Sequence, residues 1–265
     1  MPDDRYTHGH HDAVLRSHRW RTAENSAAYL TPLLGPGMSL LDVGCGPGNL
    51  TLDLASVVAP GPVVGLDRSA DVLAEASARL GGDSTVEFRT GDVYDLPFPD
   101  DSFDVVHAHQ VLQHLSDPVA ALREMYRVAR PGGLVAARDA DYAAMTWHPS
   151  DARLDRWMEI YQAVARSNEA EPNAGRQLLA WAHAAGLDDV SATASVWCFA
   201  DNDSRLWWGG LWAERSTSSA LAAQAIELGV DAAELARIAG GFDDWAADRD
   251  AWFIVPHGEI VVRVT

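Results

Sequence analysis

The sequence predicts an α/β protein built on a doubly wound, mostly parallel sheet. Three observations predict it. Apolar strand-like runs alternate with helical patterns from Met38 to Ala140, the connections are short, and the first strand opens into a glycine-rich loop that leads into a helix. Parallel strands joined by right-handed crossovers place ligands at the carboxyl ends of the strands.

The 265 residues, 48% of them hydrophobic, suffice for one large domain with a buried core. The expected division is a cover over 1–37, a ligand-binding core over 38–140 and a completion of the same domain over 141–265. With 38 acidic against 20 basic residues the net charge is −18, which repels nucleic acid and anionic lipid and favours a small-molecule substrate. No apolar run approaches the roughly 20 residues of a membrane span, and the N-terminus lacks a signal-peptide segment. Cytoplasmic residence is expected, as a monomer or homodimer. Cys45 and Cys198 form no disulfide framework and show no metal-ligand spacing.

Residues 1–31 carry His8, His10, His11 and His18, then a pattern placing Leu15, Trp20, Ala23, Ala27 and Leu30 on one helical side. With no cysteine nearby, a solvated terminus fits these histidines better than a metal site. The segment is also a candidate lid, with Tyr6, His18 or Arg21 near the ligand.

Ser39–Val43 reads as a strand, Asn49–Val58 as a helix, Pro62–Leu66 as a strand ending at Asp67, and Ser69–Leu80 as a helix. Val86–Thr90 alternates apolar and polar residues, as an edge strand does, whereas Val105-Val106 and Leu134–Ala137 belong to continuous apolar runs. Asp117 and Pro118 open a helix expected to reach Arg130, with Pro131-Gly132-Gly133 as its stop. Beyond Asp139 a helix begins near Ser150, another covers Leu178–Ala185, Val190–Phe199 is a strand, Asp203–Trp245 is helical and Trp252–Val264 is a final strand or hairpin. Nine of the ten tryptophans lie in this last part. Aromatics at this spacing fit a core more readily than a substrate box.

The loop Asp42-Val43-Gly44-Cys45-Gly46-Pro47-Gly48-Asn49 is the expected ligand site, because glycines let the backbone turn and approach a ligand beneath a helix N-terminus. Asp67 follows, at the end of the second strand, where an acid meets the ribose hydroxyls of an adenosine-containing cofactor. These two features alone leave a nicotinamide dinucleotide and S-adenosylmethionine both open.

The order of further blocks narrows the choice. Gly65-Leu66-Asp67, Gly91-Asp92-Val93-Tyr94-Asp95-Leu96-Pro97-Phe98, Phe103-Asp104-Val105-Val106, Val111-Leu112-Gln113-His114-Leu115 and Arg127-Val128-Ala129-Arg130-Pro131-Gly132-Gly133 follow the loop over residues 39–138. In these blocks the chain resembles the class I S-adenosylmethionine-dependent methyltransferases, in particular the ubiquinone and menaquinone biosynthesis branch. The resemblance implies a Rossmann-like sheet with an antiparallel C-terminal strand, an N-terminal helical lid and a helical insertion near the C-terminus. It also implies methionine binding by Gly44 and Gly46, ribose binding by Asp67, adenine by Gly91, Asp92 and Val93 with Arg68 near its edge, and His109 at the methionine end. Beyond residue 140 it is thin, so it carries no acceptor with it.

The implied chemistry is attack of an oxygen, nitrogen or carbon nucleophile of a small, aromatic or apolar molecule on the sulfonium methyl, giving S-adenosylhomocysteine. The protein chiefly orients the reactants, and a general base adds to that. His109, His114 and His148 are the catalytic candidates. His107 reads as a core histidine, and Asp139 and Asp141 are further candidates without the companion pair of a metal-dependent enzyme. A competing reading keeps the cofactor fold but transfers no methyl, as in a cyclase or lyase; an NAD-dependent dehydrogenase fits the blocks less well.

Overall fold

The computed structural model describes Thr7, residues 11–81 and residues 84–265. Tyr6, His8 and His10 lie outside the described residues. Helix α1 (Asp12–Arg19) and the single turn α2 (Ala23–Ser26) precede the sheet. The core then alternates β1 (Leu40–Val43), α3 (Asn49–Val58), β2 (Val63–Asp67), α4 (Ala70–Ser77), β3 (Val86–Thr90), β4 (Phe103–His109), α5 (Pro118–Val128) and β5 (Ala129–Ala140). After the short β6 (Thr146–His148) come α6 (Ala152–Ser167), α7 (Leu178–Ala184), β7 (Val190–Phe199), α8 (Asn202–Ser218), α9 (Ala220–Glu227), α10 (Ala232–Ala247) and β8 (Trp252–Arg263).

The sheet runs β3-β2-β1-β4-β5-β8, with β6 and β7 each paired to β8. Strands β1 to β5 are parallel and β8 is antiparallel to β5, as expected of this architecture. The chain leaves β1 in one direction for β2 and β3, then returns to the other side of β1 as β4. This reversal makes the carboxyl ends of β1 and β4 the natural ligand crevice. β1 and β4 are buried at every residue, which explains their unbroken apolar runs, and β3 is the alternating edge strand.

Two local expectations need correction. The helix from Pro118 ends at Val128, and Pro131-Gly132-Gly133 falls within β5 rather than after a helix. Long-range contacts outweigh the local stop signal: Ala129 pairs with Phe103, Arg130 forms an ion pair with Asp104, and a Cβ on Gly133 would stand 2.8 Å from the Asp104 carbonyl. The helical stretch 203–245 is three helices, broken at Ser219 and at Gly229, whose φ is +90°.

The tryptophan-rich part builds its own aromatic core over one end of the sheet. Trp157 packs edge-on against Trp212 at 4.6 Å, Phe199 stacks on Trp208 at 4.3 Å, and Tyr142 stacks on Tyr161 at 3.8 Å. The N-terminal segment docks on this core through Trp20, which meets Trp197 and Trp207 at 5.1 Å each. No helix among the described residues is long and apolar enough to cross a membrane.

Candidate active site

Gly44, Gly46 and Gly48 all take positive φ, at +66°, +54° and +76°, a region that side-chain-bearing residues rarely adopt. A Cβ on Gly44 would sit 2.4 Å from the Val111 side chain, and one on Gly48 2.5 Å from the Phe88 ring. The turn therefore brings its backbone close to whatever lies between β1 and β4. Asp67, at the end of β2, accepts the Gly46 N–H at 2.9 Å with Oδ2 and the Ser69 N–H at 2.9 Å with Oδ1.

These elements border a cleft of about 490 Å³, within the usual size of a cofactor pocket. Of the residues expected at a cofactor site, Gly44, Gly46, Asp67, Arg68, Gly91, Val93 and His109 line it. His114, expected on catalytic grounds, lines it too. So do Leu15, His18 and Arg21 of the N-terminal segment, and Gln110 and Val111 beyond β4.

Other expected residues are placed differently. Asp42, Cys45 and Asn49 line a small recess under the glycine loop that His18, Arg21 and His109 also border. Asp42 accepts the Thr51 hydroxyl at 2.6 Å with Oδ2 and the His107 Nδ1–H at 2.8 Å with Oδ1, and His107 is fully buried, a core histidine as read. Asn49 donates to the Arg19 carbonyl at 3.1 Å and thereby ties α3 to α1. Gly48 acts from behind, as the N-terminal cap of α3. Asp92 does not line the cleft, although both its neighbours do; its Oδ1 accepts the Tyr94 N–H at 3.0 Å.

His148 is a correction: it is exposed in β6 and lines neither the cleft nor the void beside it. Pairing of β6 with Trp252–Ile254 fixes it at the end of the sheet, where its carbonyl accepts the Trp245 indole N–H at 3.0 Å. Asp141 is bound to Arg176 by two hydrogen bonds of 2.6 Å, and Asp139 accepts the Gln113 N–H at 3.1 Å.

Gln110 carried no signal in the sequence. It adopts φ +55° immediately after β4, and its amide oxygen accepts Arg21 Nη2 at 2.5 Å. Its Nε2 donates to His257 Nε2 at 2.8 Å, an assignment fixed by His257 Nδ1, which donates to the Val255 carbonyl at 3.0 Å. One chain of hydrogen bonds thus links the N-terminal segment, the end of β4 and β8.

Burial disfavours the charged form of three histidines. His109 and His257 are pushed well below the usual imidazole range by burial, reinforced by the charges of Arg21 and Arg138. His114, partly open to the cleft, is lowered to about 3 by burial and by Arg21. Asp139 moves the other way, raised by burial to about 7. His109 is buried and, among the described residues, neither of its ring nitrogens has a hydrogen-bond partner, a costly state that a polar ligand atom would relieve. Imidazoles this weakly basic are poor general bases but good neutral hydrogen-bonding partners.

A small void of about 20 Å³ adjoins the cleft and shares His18, Arg21, Gln110 and His114 with it. Its other walls include Tyr142, Met145, Trp197, Trp208, Trp212 and Arg215.

Residues 41–137 match the family model described as a methyltransferase domain. An uncharacterized methyltransferase of Schizosaccharomyces pombe is 34% identical over 97% of this chain and 96% of its own length. A 2-phytyl-1,4-naphtoquinone methyltransferase of Synechococcus elongatus is 36% identical over 57% of this chain and 72% of its own length. The crystal structure of a putative methyltransferase from Bacillus halodurans shares the fold, with a TM-score of 0.56 at 19% identity over 89% of this chain and 97% of that one. The full-length kinship, the glycine turn above Asp67 and the strand order agree: this chain belongs to the class I S-adenosylmethionine-dependent methyltransferases.

Proposed function

We propose that the enzyme methylates a small aromatic or apolar molecule, which enters the tryptophan-walled void beside the cofactor cleft. The carrying observation is adjacency: the void shares Arg21, Gln110 and His114 with the cleft, so a ring held among Trp197, Trp208 and Trp212 would face the cofactor. The Synechococcus relative is named for a naphthoquinone acceptor, a ring of the same class. The net charge of −18 favours a free small molecule over a nucleic acid.

The cleft fits the cofactor. Each Asp67 carboxylate oxygen accepts one backbone N–H and keeps further acceptor capacity for a ribose hydroxyl. Gly44 and Gly46 leave room for the methionine portion, Gly91 and Val93 flank the adenine position with Arg68 at its edge, and the unpartnered imidazole of His109 offers a hydrogen bond near the methionine end. Bound there, S-adenosylmethionine supplies an electrophilic methyl group. Arg21 and Gln110 close the lid side, and the tryptophan wall excludes water and orients the acceptor. His114 and His109 act as neutral positioning groups in this reading.

Calorimetry with S-adenosylhomocysteine, followed by incubation with methyl-labelled S-adenosylmethionine and a panel of hydroxynaphthalenes and naphthohydroquinones, tests the proposal. Label should enter the organic product. Cofactor binding with label found only in macromolecules would overturn it.

A further inference from the structure

We propose that His18 is the catalytic base, taking the proton of the acceptor's hydroxyl while that oxygen receives the methyl group. This rests on the reading that the acceptor's ring occupies the tryptophan-walled void.

The two cavities set where cofactor and acceptor meet. With the sulfonium in the cleft and the ring in the void, the reacting oxygen lies at their junction, which His18, Arg21, Gln110 and His114 border from both sides. Three of these are poor proton acceptors. A guanidinium does not give up its proton, so Arg21 cannot take another, and the Gln110 amide has no basic nitrogen. His114 is lowered to about 3 by burial and by Arg21. His18 is the fourth. Its ring also borders the recess under the glycine loop, and its Nδ1 stands 3.5 Å from where a Cβ on Gly46 would be. The imidazole therefore lies over the glycine turn and beside the void at once.

The surroundings suit a group that gains and loses a proton. His18 stands in the last turn of α1, whose C-terminal dipole favours an imidazolium, and it is partly exposed, so the proton can leave to water. Asp67 and Asp42 are the carboxylates that border its cavities and favour the charged ring, whereas Arg21, Arg68 and Arg215 oppose it. Burial disfavours the charged forms of the other titratable groups there, His109, Cys45 and Tyr142. Asp139, raised to about 7, borders none of these cavities. In the transfer the hydroxyl oxygen forms a bond to the methyl carbon, the carbon–sulfur bond breaks with its electron pair left on sulfur, and the hydroxyl proton passes to the imidazole. The products are an ether, S-adenosylhomocysteine and an imidazolium that returns its proton to water. The hydroxyl grows more acidic as its oxygen is alkylated, so an imidazole suffices as base.

The void of about 20 Å³ has room for roughly one water, so α1 must shift for a ring to enter. The charged groups that fasten α1 to α4 and α8, Arg19–Glu75 at 2.9 Å and Arg16–Glu214, are partly exposed ion pairs of the weak kind and suit that movement. His18 rides on this helix, so its return brings the base to a seated acceptor.

The full chain is assayed with methyl-labelled S-adenosylmethionine and two acceptors, naphthol and a ring-nitrated naphthol, at a pH between their two ionisations. His18→Gln should lower kcat for naphthol about a hundredfold or more. It should methylate the nitrated compound, whose oxygen is already ionised, at close to the parent's rate. Its kcat/KM for naphthol should also lose the limb that falls towards acid in the parent. His18→Asn, of different shape, is the second variant and should behave alike; calorimetry with S-adenosylhomocysteine and thermal melting check that both fold and bind. An equal loss with both acceptors, or an acid limb that persists in the variants, overturns the base and leaves the aromatic acceptor intact. A parent that labels only the nitrated compound overturns it too. If the parent binds S-adenosylhomocysteine but labels neither naphthol, the aromatic reading fails and this assignment with it.

Discussion

Oδ2 of Asp67 and the backbone N–H of Gly46 meet at 2.9 Å, so the carboxylate at the end of β2 holds the glycine turn in place as well as facing the cleft. Asp67→Ala would release that turn and remove the acceptor proposed for the ribose hydroxyls. Hydrogen bonds to a charged group are worth roughly 1.5–3 kcal/mol each. Affinity for S-adenosylhomocysteine should therefore fall at least about tenfold by calorimetry. An unchanged Kd would place the ribose elsewhere.

Gln110 offers a test of the link between lid and sheet. Gln110→Leu keeps the bulk but leaves Arg21 and His257 without the amide that bridges them. The expected loss is about 1–3 kcal/mol, or several degrees in Tm. The acceptor KM should rise more than the affinity for S-adenosylhomocysteine falls, because Gln110 borders both cavities but bonds to the lid residue that closes the void. Equal changes in both constants would contradict this role.

The contrast between Asp67 and Gln110 shows what was legible in the sequence. The glycine turn and the acid after the second strand are local patterns, and local sterics fix them whatever the rest of the chain does. Gln110 takes a left-handed conformation with no residue type to announce it, and Arg215 reaches the void only because α8 packs against α1. His148 looked like a pocket residue because Trp147 stands beside it, yet its place is decided by a pairing with residues over a hundred positions away. The Pro131-Gly132-Gly133 stop failed for the same reason, since contacts with Phe103 and Asp104 extend the strand through it.

Beneath the glycine turn, Asp42 accepts from both Thr51 and His107 with almost no exposure to water. Asp42→Leu leaves two buried donors unsatisfied, at roughly 1–3 kcal/mol each, and Tm should drop by more than for Asp67→Ala. Asp42→Asn retains an acceptor oxygen and should cost less. A Tm for Asp42→Leu within a degree of the parent would mean that this buried network contributes nothing to holding the turn.

Stability should depend on pH in a way that separates the buried imidazoles from Asp139. His109, His114 and His257 have folded-state pKa values below the ordinary 6.5, so on acidification the unfolded chain takes up protons that the folded protein refuses. Their effect is a stability that falls as the pH drops below about 6.5. Asp139 has the opposite sign: its pKa is raised from 3.8 to about 7, so its contribution is present below 3.8 and lost as the pH rises through about 7. About three pH units at ~1.4 kcal/mol each give at most roughly 4 kcal/mol. Three imidazoles outweigh one carboxyl, so Tm should fall between about pH 7 and pH 5, above the range where the salt-bridged carboxylates Glu75, Glu124 and Asp151 take up protons. Asp139→Asn should raise Tm at about pH 8, where the parent carries a buried carboxylate, and raise it less at about pH 5. A gain of equal size at both values would show that the Asp139 carboxyl titrates as it does in the unfolded chain.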